Sequence, residues 1–390
     1  MITVTEARKI VAEHCSLMSA TQQPIQEAAG YALAEAVISR IDIPFFRQSS
    51  MDGYAIRYSE QQQALEIVAA LPAGIAAAMP LAPGTTAKVF TGGPVPDGAD
   101  TVVQKEWVKE MDGRIHITQA IPEPGMHVRP RGSDIAAGQQ ALEKGTVLNA
   151  MHIGLLASIG VKEVTVTRKP SVAVIVTGNE LVQPGESLHF GQVYESNAYA
   201  LRSILQQTGI SDIEVAYAKD DPEQTRQLLE AALESSDMVV LTGGVSVGDY
   251  DYVAAACADN GVVKHFHGVS QRPGKPLYFG TFQNKPVFGL PGNPSSVLSC
   301  FYQYVLPAIR KLSGIPLQAP VKAYLSGDFE KKPPLTFFLK GMLSDGVATV
   351  LPGQASYQLH AFARANCWIE LPKEQTHFEA GTELIVHPFI

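Results

Sequence analysis

Carboxylates follow three successive β-branched runs in the middle of the chain. Asn179-Glu180 comes after SVAVIVTG, Asp220-Asp221 after IEVAYAK, and Asp249 and Asp251 after MVVLTGGVSVG. In an open α/β sheet, ligands bind beyond the carboxyl ends of the strands, so acids spaced in this way converge on one edge. Acidic groups do not hold phosphates directly, but they do hold Mg²⁺, which bridges to phosphate oxygens. Any one of these acids alone is more often a helix cap than a ligand, and Asp221, followed by Pro222, is a good cap. Three together favour a metal–phosphate site. The loop between the last two, Thr242-Gly243-Gly244-Val245-Ser246-Val247-Gly248-Asp249, lets backbone approach a ligand and leads into a helix start that attracts oxyanions. On its own it is equally well a structural turn. It is neither GxGxxG nor GxxxxGK[ST], which disfavours a dinucleotide dehydrogenase or a P-loop NTPase.

Two rigid turns follow. Arg272-Pro273-Gly274-Lys275-Pro276 displays two cations, and Pro291-Gly292-Asn293-Pro294-Ser295-Ser296 presents hydroxyls and N–H groups at a helix start. Arginine suits planar oxyanion contact, and lysine supplies a point charge. Earlier in the chain, Asp52 sits in the turn SSMDGY, Thr91 opens the stiff loop TGGPVP, and RPRGSD carries Arg129, Arg131 and Asp134. Such proline- and glycine-rich segments are not patterned for core packing. His265 and His267 alternate on one strand, and with no third ligand nearby they read as ordinary sheet residues.

These residues need elements to hold them. Thr5–Leu17 has helical periodicity behind a Thr cap, and 25–37, rich in Ala and Leu, reads as a second helix. From 42 to 138 the text is short β runs separated by LAPG, GGPVPDG and PEPG, an all-β module. A helix capped by Asn149 follows, so the module reads as an insert in a split helical domain, 1–41 plus 139–168. Alternating strands and helices over 169–315 predict parallel βαβ units in a doubly wound sheet, with Ser196 or Asn197 and Asp221 as helix caps. After the linker SGIPLQAP, residues 316–390 revert to strands.

Composition bounds the function. The 390 residues carry 30 Lys+Arg and 38 Asp+Glu, a net charge of −8, which argues against binding nucleic acid through bulk phosphate neutralisation. Four scattered cysteines give neither a zinc site nor a disulfide framework. No signal peptide or membrane-length apolar run is present, so a reduced, cytoplasmic enzyme is expected. The 33 glycines and 26 prolines cluster in the loops named above.

The motifs SSMDGYAI, TGGPVPDGAD, RPRGSD, TGNEL, DDP, TGGVSVGDYDY, RPGKP and PGNPSS occur in the order seen in the molybdopterin molybdenumtransferases, the MoeA-type enzymes that complete molybdenum cofactor synthesis. The C-terminal domain of gephyrin is similar. The resemblance spans nearly the whole chain. It implies an elongated homodimer of four-part subunits: the split helical domain, the inserted β domain, a molybdopterin-binding α/β domain and a C-terminal β-barrel. The insert of one subunit would face the α/β domain of the other. It also implies a Mg²⁺-dependent reaction in which adenylylated molybdopterin and molybdate yield molybdenum cofactor and AMP.

By resemblance, Glu180, Asp220, Asp251, Asp52, Thr91 and Asp134 match the family's acidic and polar site positions, the first three as metal ligands, with Arg129 beside those of the insert. Pro291 and Pro294 match its proline turn, and Lys340 and Ser356 match positions associated with molybdate. Gly243, Gly244, Ser246 and Gly248 would seat the pyrophosphate, while Arg272, Lys275 and Ser295 or Ser296 would meet molybdate. The chain departs from the family's pattern at Asn179 (TGDEL is common), at Arg272 and Gly268 (often Lys) and at Lys340 (often Arg). Tungstate is an alternative oxyanion. Expected partners are molybdopterin adenylyltransferase and apo-molybdoenzymes, with no nucleic acid and no membrane. The runner-up activities are molybdopterin adenylyltransferase, disfavoured because its stand-alone relatives lack the insert and barrel, and a non-catalytic cofactor-binding scaffold.

Overall fold

The structure, a computed structural model, describes residues 1–75, 80–245, 252–332 and 334–389. The chain divides into two compact units, one of Met1–Thr21, Gly30–Ala32 and Thr167–Ile390, the other of Gln22–Ala29 and Leu33–Val166.

The first unit is organised by a six-stranded sheet. Its strands run in the order Ile213–Ala218, Val172–Thr177, Met238–Thr242, Lys285–Leu290, Tyr278–Phe282, Val263–His267. The first four are parallel, as the alternation of strands and helices predicts. The last two strands pair antiparallel at the edge of the sheet, where no helix separates 278–282 from 285–290. The reason is local. Gln283 and Asn284, at φ 48° and 71°, make a two-residue turn of the kind that closes hairpins, so 278–282 folds straight back onto 285–290 without a crossover helix.

Helices Asn197–Gln207 and Pro222–Ser235 flank the sheet. Asp221 caps the second, its Oδ1 accepting from the Gln224 N–H at 2.7 Å with Pro222 at the first helical position. Ser196 stands at the N-cap of the first but makes no side-chain cap bond. Glu195 accepts the Ala198 N–H at 2.8 Å instead. The helix expected over the PSSVLSC segment is continuous but not uniform. Pro294–Cys300 is α-helical, Phe301–Val305 widens into a π-turn in which the Leu306 N–H reaches the Phe301 carbonyl, and Leu306–Leu312 resumes the α-helix. Widening of this kind is one way a helix accommodates an interior proline, here Pro307.

The N-terminal helix Val4–Glu13 is fixed by reciprocal bonds between Thr3 and Glu6, ends short of the expected Leu17, and buries Val4, Ala7 and Val11 in the core of the same sheet. Five strands close a C-terminal barrel: Val321–Leu325, Thr336–Ser344, Val347–Val350, Cys367–Leu371 and Glu383–Pro388. Phe337 and Leu339 fill its interior, whereas Phe338 points outward into the α/β core, as the alternation of a strand dictates. Lys340 shares the Phe338 face.

The second unit holds a six-stranded sheet in the order Thr101–Gln104, Gly53–Ile56, Thr85–Val89, Leu65–Leu71, Arg114–Ile117, Val108–Met111. Residues 25–37 are not the predicted helix. Only Ile25–Glu27 forms a helical turn, and the backbone N–H groups of Leu33 and Ala34 bond to Thr146 and Thr165. Val37–Ile38 pairs with Gln140–Leu142. Ala and Leu content favoured a helix, but these backbone groups are claimed by partners distant in sequence. Ala150–Ser158 is a helix, capped as expected by Asn149.

Candidate functional site

A cavity of about 770 Å³ opens beyond the carboxyl ends of the parallel strands. Its walls include Glu180 and Asp220, the Gly243–Gly244 turn, Pro291 and Pro294, and, from the barrel side, Tyr357 and Leu359. Register explains the convergence. Thr177 lies beside Ala218, and Val176 lies beside Thr242, so the residues following each strand emerge together.

Asn179, the neighbour of Glu180 in the chain, is hydrogen-bonded to Asp220. Its backbone N–H donates to Asp220 Oδ2 at 3.1 Å, and its side-chain Oδ1 accepts the Asp220 N–H at 3.2 Å. This exchange orients Asp220 and uses one of its oxygens. The amide at 179, a departure from the family's common aspartate, therefore acts as a neutral brace. An aspartate there could accept the same N–H but would add a negative charge.

Gly243 is demanded by its surroundings. With φ at 90°, a Cβ there would stand 2.3 Å from the Thr177 carbonyl oxygen. On the helix side, the buried Asn197 donates both ways from Nδ2, to Thr242 Oγ1 at 3.2 Å and to the Gly292 carbonyl at 2.8 Å. It thus ties the end of strand 238–242 to the proline turn, a role that periodicity alone did not reveal. Glu195, 2% exposed, sits just before it. Burial raises its carboxyl pKa, opposed by the N–H groups of Ala198 and Asn197. This helix start is therefore already occupied by an acid of the chain's own.

None of the cationic candidates Arg272, Lys275 and Lys340 lines the cavity. Arg272 and Lys275 are exposed. Arg272 forms a short parallel pairing with the barrel strand, and its guanidinium lies 5.5 Å from the Phe337 ring centre. From that segment Pro276 lines the wall. Gly274 is compelled: at φ 87° a Cβ would fall 2.4 Å from Cys300 Sγ.

Lys340 is 1% exposed. Its ammonium donates to Ser295 Oγ (3.1 Å), the Ala355 carbonyl (3.2 Å) and the Gln358 carbonyl (2.8 Å), which accounts for all three of its hydrogens. Burial lowers its pKa to about 8. Ser295 is buried too, and its N–H donates to the Ser356 carbonyl at 3.0 Å. Lys340, Ser295 and Ser356 thus form one knot that holds the turn carrying Tyr357 into the cavity wall.

In the second unit, Asp52 precedes strand 53–56 and Thr91 follows strand 85–89. The antiparallel pairing of Gly53 with Val89 brings them together. Asp52 Oδ1 accepts the Thr91 N–H at 2.8 Å and the Thr91 hydroxyl at 2.9 Å, and these bonds hold its pKa below the usual carboxylate value. Arg129 and Asp134 are exposed, while Arg131 pairs with Asp42 at 2.6 Å. Ser246, Gly248 and Asp251 lie outside the described residues. Among the described residues no three His, Cys, Asp or Glu side chains group into a metal site. His265 bonds Thr281 Oγ1 at 2.8 Å and stacks on His14, in keeping with an ordinary sheet residue. The four cysteines are buried, and none forms a disulfide among the described residues. No helix among the described residues is long and apolar enough to cross a membrane.

Comparison with known proteins agrees along the chain. Residues 2–160 match the family described as MoeA N-terminal region (domain I and II), 173–311 match the probable molybdopterin binding domain, and 322–389 match the MoeA C-terminal region (domain IV). A molybdopterin molybdenumtransferase of Nostoc is 37% identical over 92% of this chain and 86% of its own length. That of Haemophilus influenzae is 33% identical over 100% and 99%. The crystal structure of a molybdopterin biosynthesis MoeA protein from Pyrococcus horikoshii superposes with a TM-score of 0.88 at 31% identity, covering 100% of this chain and 99% of that one. With full-length relatives at this identity and a cavity built from the expected loops, the chain belongs to the molybdopterin molybdenumtransferase family.

Proposed function

We propose that the chain inserts molybdate into adenylylated molybdopterin with release of AMP, in a Mg²⁺-dependent reaction. The observation that carries this reading is the cavity at the strand ends, where Glu180 and Asp220 share walls with a side-chain-free glycine turn and a rigid proline turn. Two hard carboxylates suit Mg²⁺, which keeps several waters and is commonly bound by one or two carboxylates plus substrate phosphates. Glu180 and Asp220 would hold it, with Asp251 as the third acid by resemblance. Bound there, Mg²⁺ supplies charge neutralisation on the phosphoanhydride and on the departing AMP phosphate.

The chain's own groups do the remaining work. Gly243 and Gly244 admit the substrate's phosphates to the backbone. Asn197 keeps the proline turn in register with that glycine turn. Lys340, Ser295 and Ser356 fix the wall around Tyr357, and Lys340 adds a buried positive charge with no carboxylate partner among the described residues, suited to a neighbouring oxyanion such as molybdate. Arg272 and Lys275 are further candidates for guiding that oxyanion. Asp52, Thr91, Arg129 and Asp134 are assigned to the same reaction. No protein nucleophile is required. A homodimer, a cytoplasmic location and the four-part boundaries of 1–41 with 139–168, 42–138, 169–315 and 316–390 belong to the same proposal.

The test is purified protein with adenylylated molybdopterin, Mg²⁺ and molybdate. Molybdate-stimulated AMP release is expected. Its absence would refute the reading, and ATP-dependent adenylylation of free molybdopterin would support the adenylyltransferase instead.

A further inference from the structure

The strand Val172–Thr177 is buried along its full length and apolar until its last residue. Ala173, Ile175 and Thr177 share one face by alternation, and the first two belong to a purely hydrophobic cluster with Leu241, Val245 and Val253. A valine would fill position 177 with nearly the same volume. Thr177 is only 6% exposed, and its hydroxyl oxygen is buried with no hydrogen-bond partner among the described residues. An unpaired buried hydroxyl works against folding, so packing gives no reason for it.

Its surroundings give one. Thr177 is among the residues that line the cavity. The neighbouring backbone is the Gly243–Gly244 turn, where a Cβ on Gly243 would stand 2.6 Å, and one on Gly244 3.1 Å, from the Thr177 hydroxyl oxygen. Neither residue of the turn has a side chain to cover that hydroxyl. A glycine turn at the end of a parallel strand suits an oxyanion, and a hydroxyl can donate to one.

We propose that Thr177 is a substrate-binding residue whose hydroxyl donates to a phosphoryl oxygen held against the Gly243–Gly244 turn. This rests on the reading of the cavity as the site of adenylylated molybdopterin. The experiment uses the full chain and its Thr177→Val and Thr177→Ser variants. Binding of adenylylated molybdopterin is titrated without molybdate, KM is measured from AMP release, and melting temperature is recorded for each. Thr177→Val should weaken binding and raise KM about tenfold, the size expected of one hydrogen bond to a charged group. It should melt no lower than the unaltered chain, and Thr177→Ser should bind within about twofold of it. Equal binding by Thr177→Val would overturn the proposal. So would a lowered melting temperature for that variant, because the hydroxyl would then serve the fold. Failure of the unaltered chain to bind the substrate would instead refute the assignment of the cavity itself.

Discussion

Lys340 offers the sharpest energetic test. Its ammonium is 1% exposed and, among the described residues, faces no carboxylate and donates only to neutral oxygens of Ser295, Ala355 and Gln358. Burial lowers its pKa from 10.5 to about 8. The folded chain therefore binds this proton less well than the unfolded chain does. The resulting cost is complete below about pH 8 and is relieved as pH rises toward 10.5. A difference of that size corresponds to about 3 kcal/mol. Against it stand three hydrogen bonds worth about 1 kcal/mol each in net terms. In Lys340→Met both effects vanish, so the variant and the unaltered chain should be nearly equally stable at pH 7. Near pH 10 the cost has fallen to about 1 kcal/mol while the neutral amine keeps two of the three hydrogen bonds, so the unaltered chain should lead by about 1 kcal/mol, or roughly 2 °C in Tm for a unit of this size. The assay is a pair of thermal melts across pH 7–10, read as the difference between the two curves. A flat difference would refute the argument that an uncompensated charge is buried there.

Two further predictions rest on the cavity. Asn179→Asp keeps an acceptor for the Asp220 N–H but sets a second charge beside it, so the Mg²⁺ concentration for half-maximal AMP release should fall, by about threefold to tenfold. An unchanged Mg²⁺ titration would show that this brace does not tune the metal site. Gly274→Ala would drive a methyl group to 2.4 Å from Cys300 Sγ at a left-handed φ, and should cost at least about 2 kcal/mol of stability in thermal or urea melts.

Much of this was legible before the fold, and the reasons differ by element. Strand 172–177 announced itself as a continuous apolar run, and Asp221-Pro222 announced a capped helix, because both signals are local. The carboxylates 180 and 220 could be predicted to meet because strand order in a parallel sheet carries their loops to one edge. Residues 25–37 misled because their helical composition is outweighed by backbone pairing to residues over a hundred positions away. The surroundings of the cationic residues were not legible, because spacing identifies charge but not direction: Lys340 donates its hydrogens inside the protein, and Arg272 lies against Phe337. Asn197 left no mark in the sequence beyond a helix start, since its role depends on Thr242 and Gly292 arriving from elsewhere in the chain.

The central claim is that this chain couples molybdate insertion to loss of AMP, and one ratio tests it. Molybdenum bound to the pterin and AMP released should be measured in the same single-turnover reaction, for the unaltered chain and for Asp220→Asn. One molybdenum gained per AMP lost, with both falling together in the variant, is the predicted result. AMP released at the same rate with and without molybdate, or a variant as fast as the unaltered chain, would contradict it.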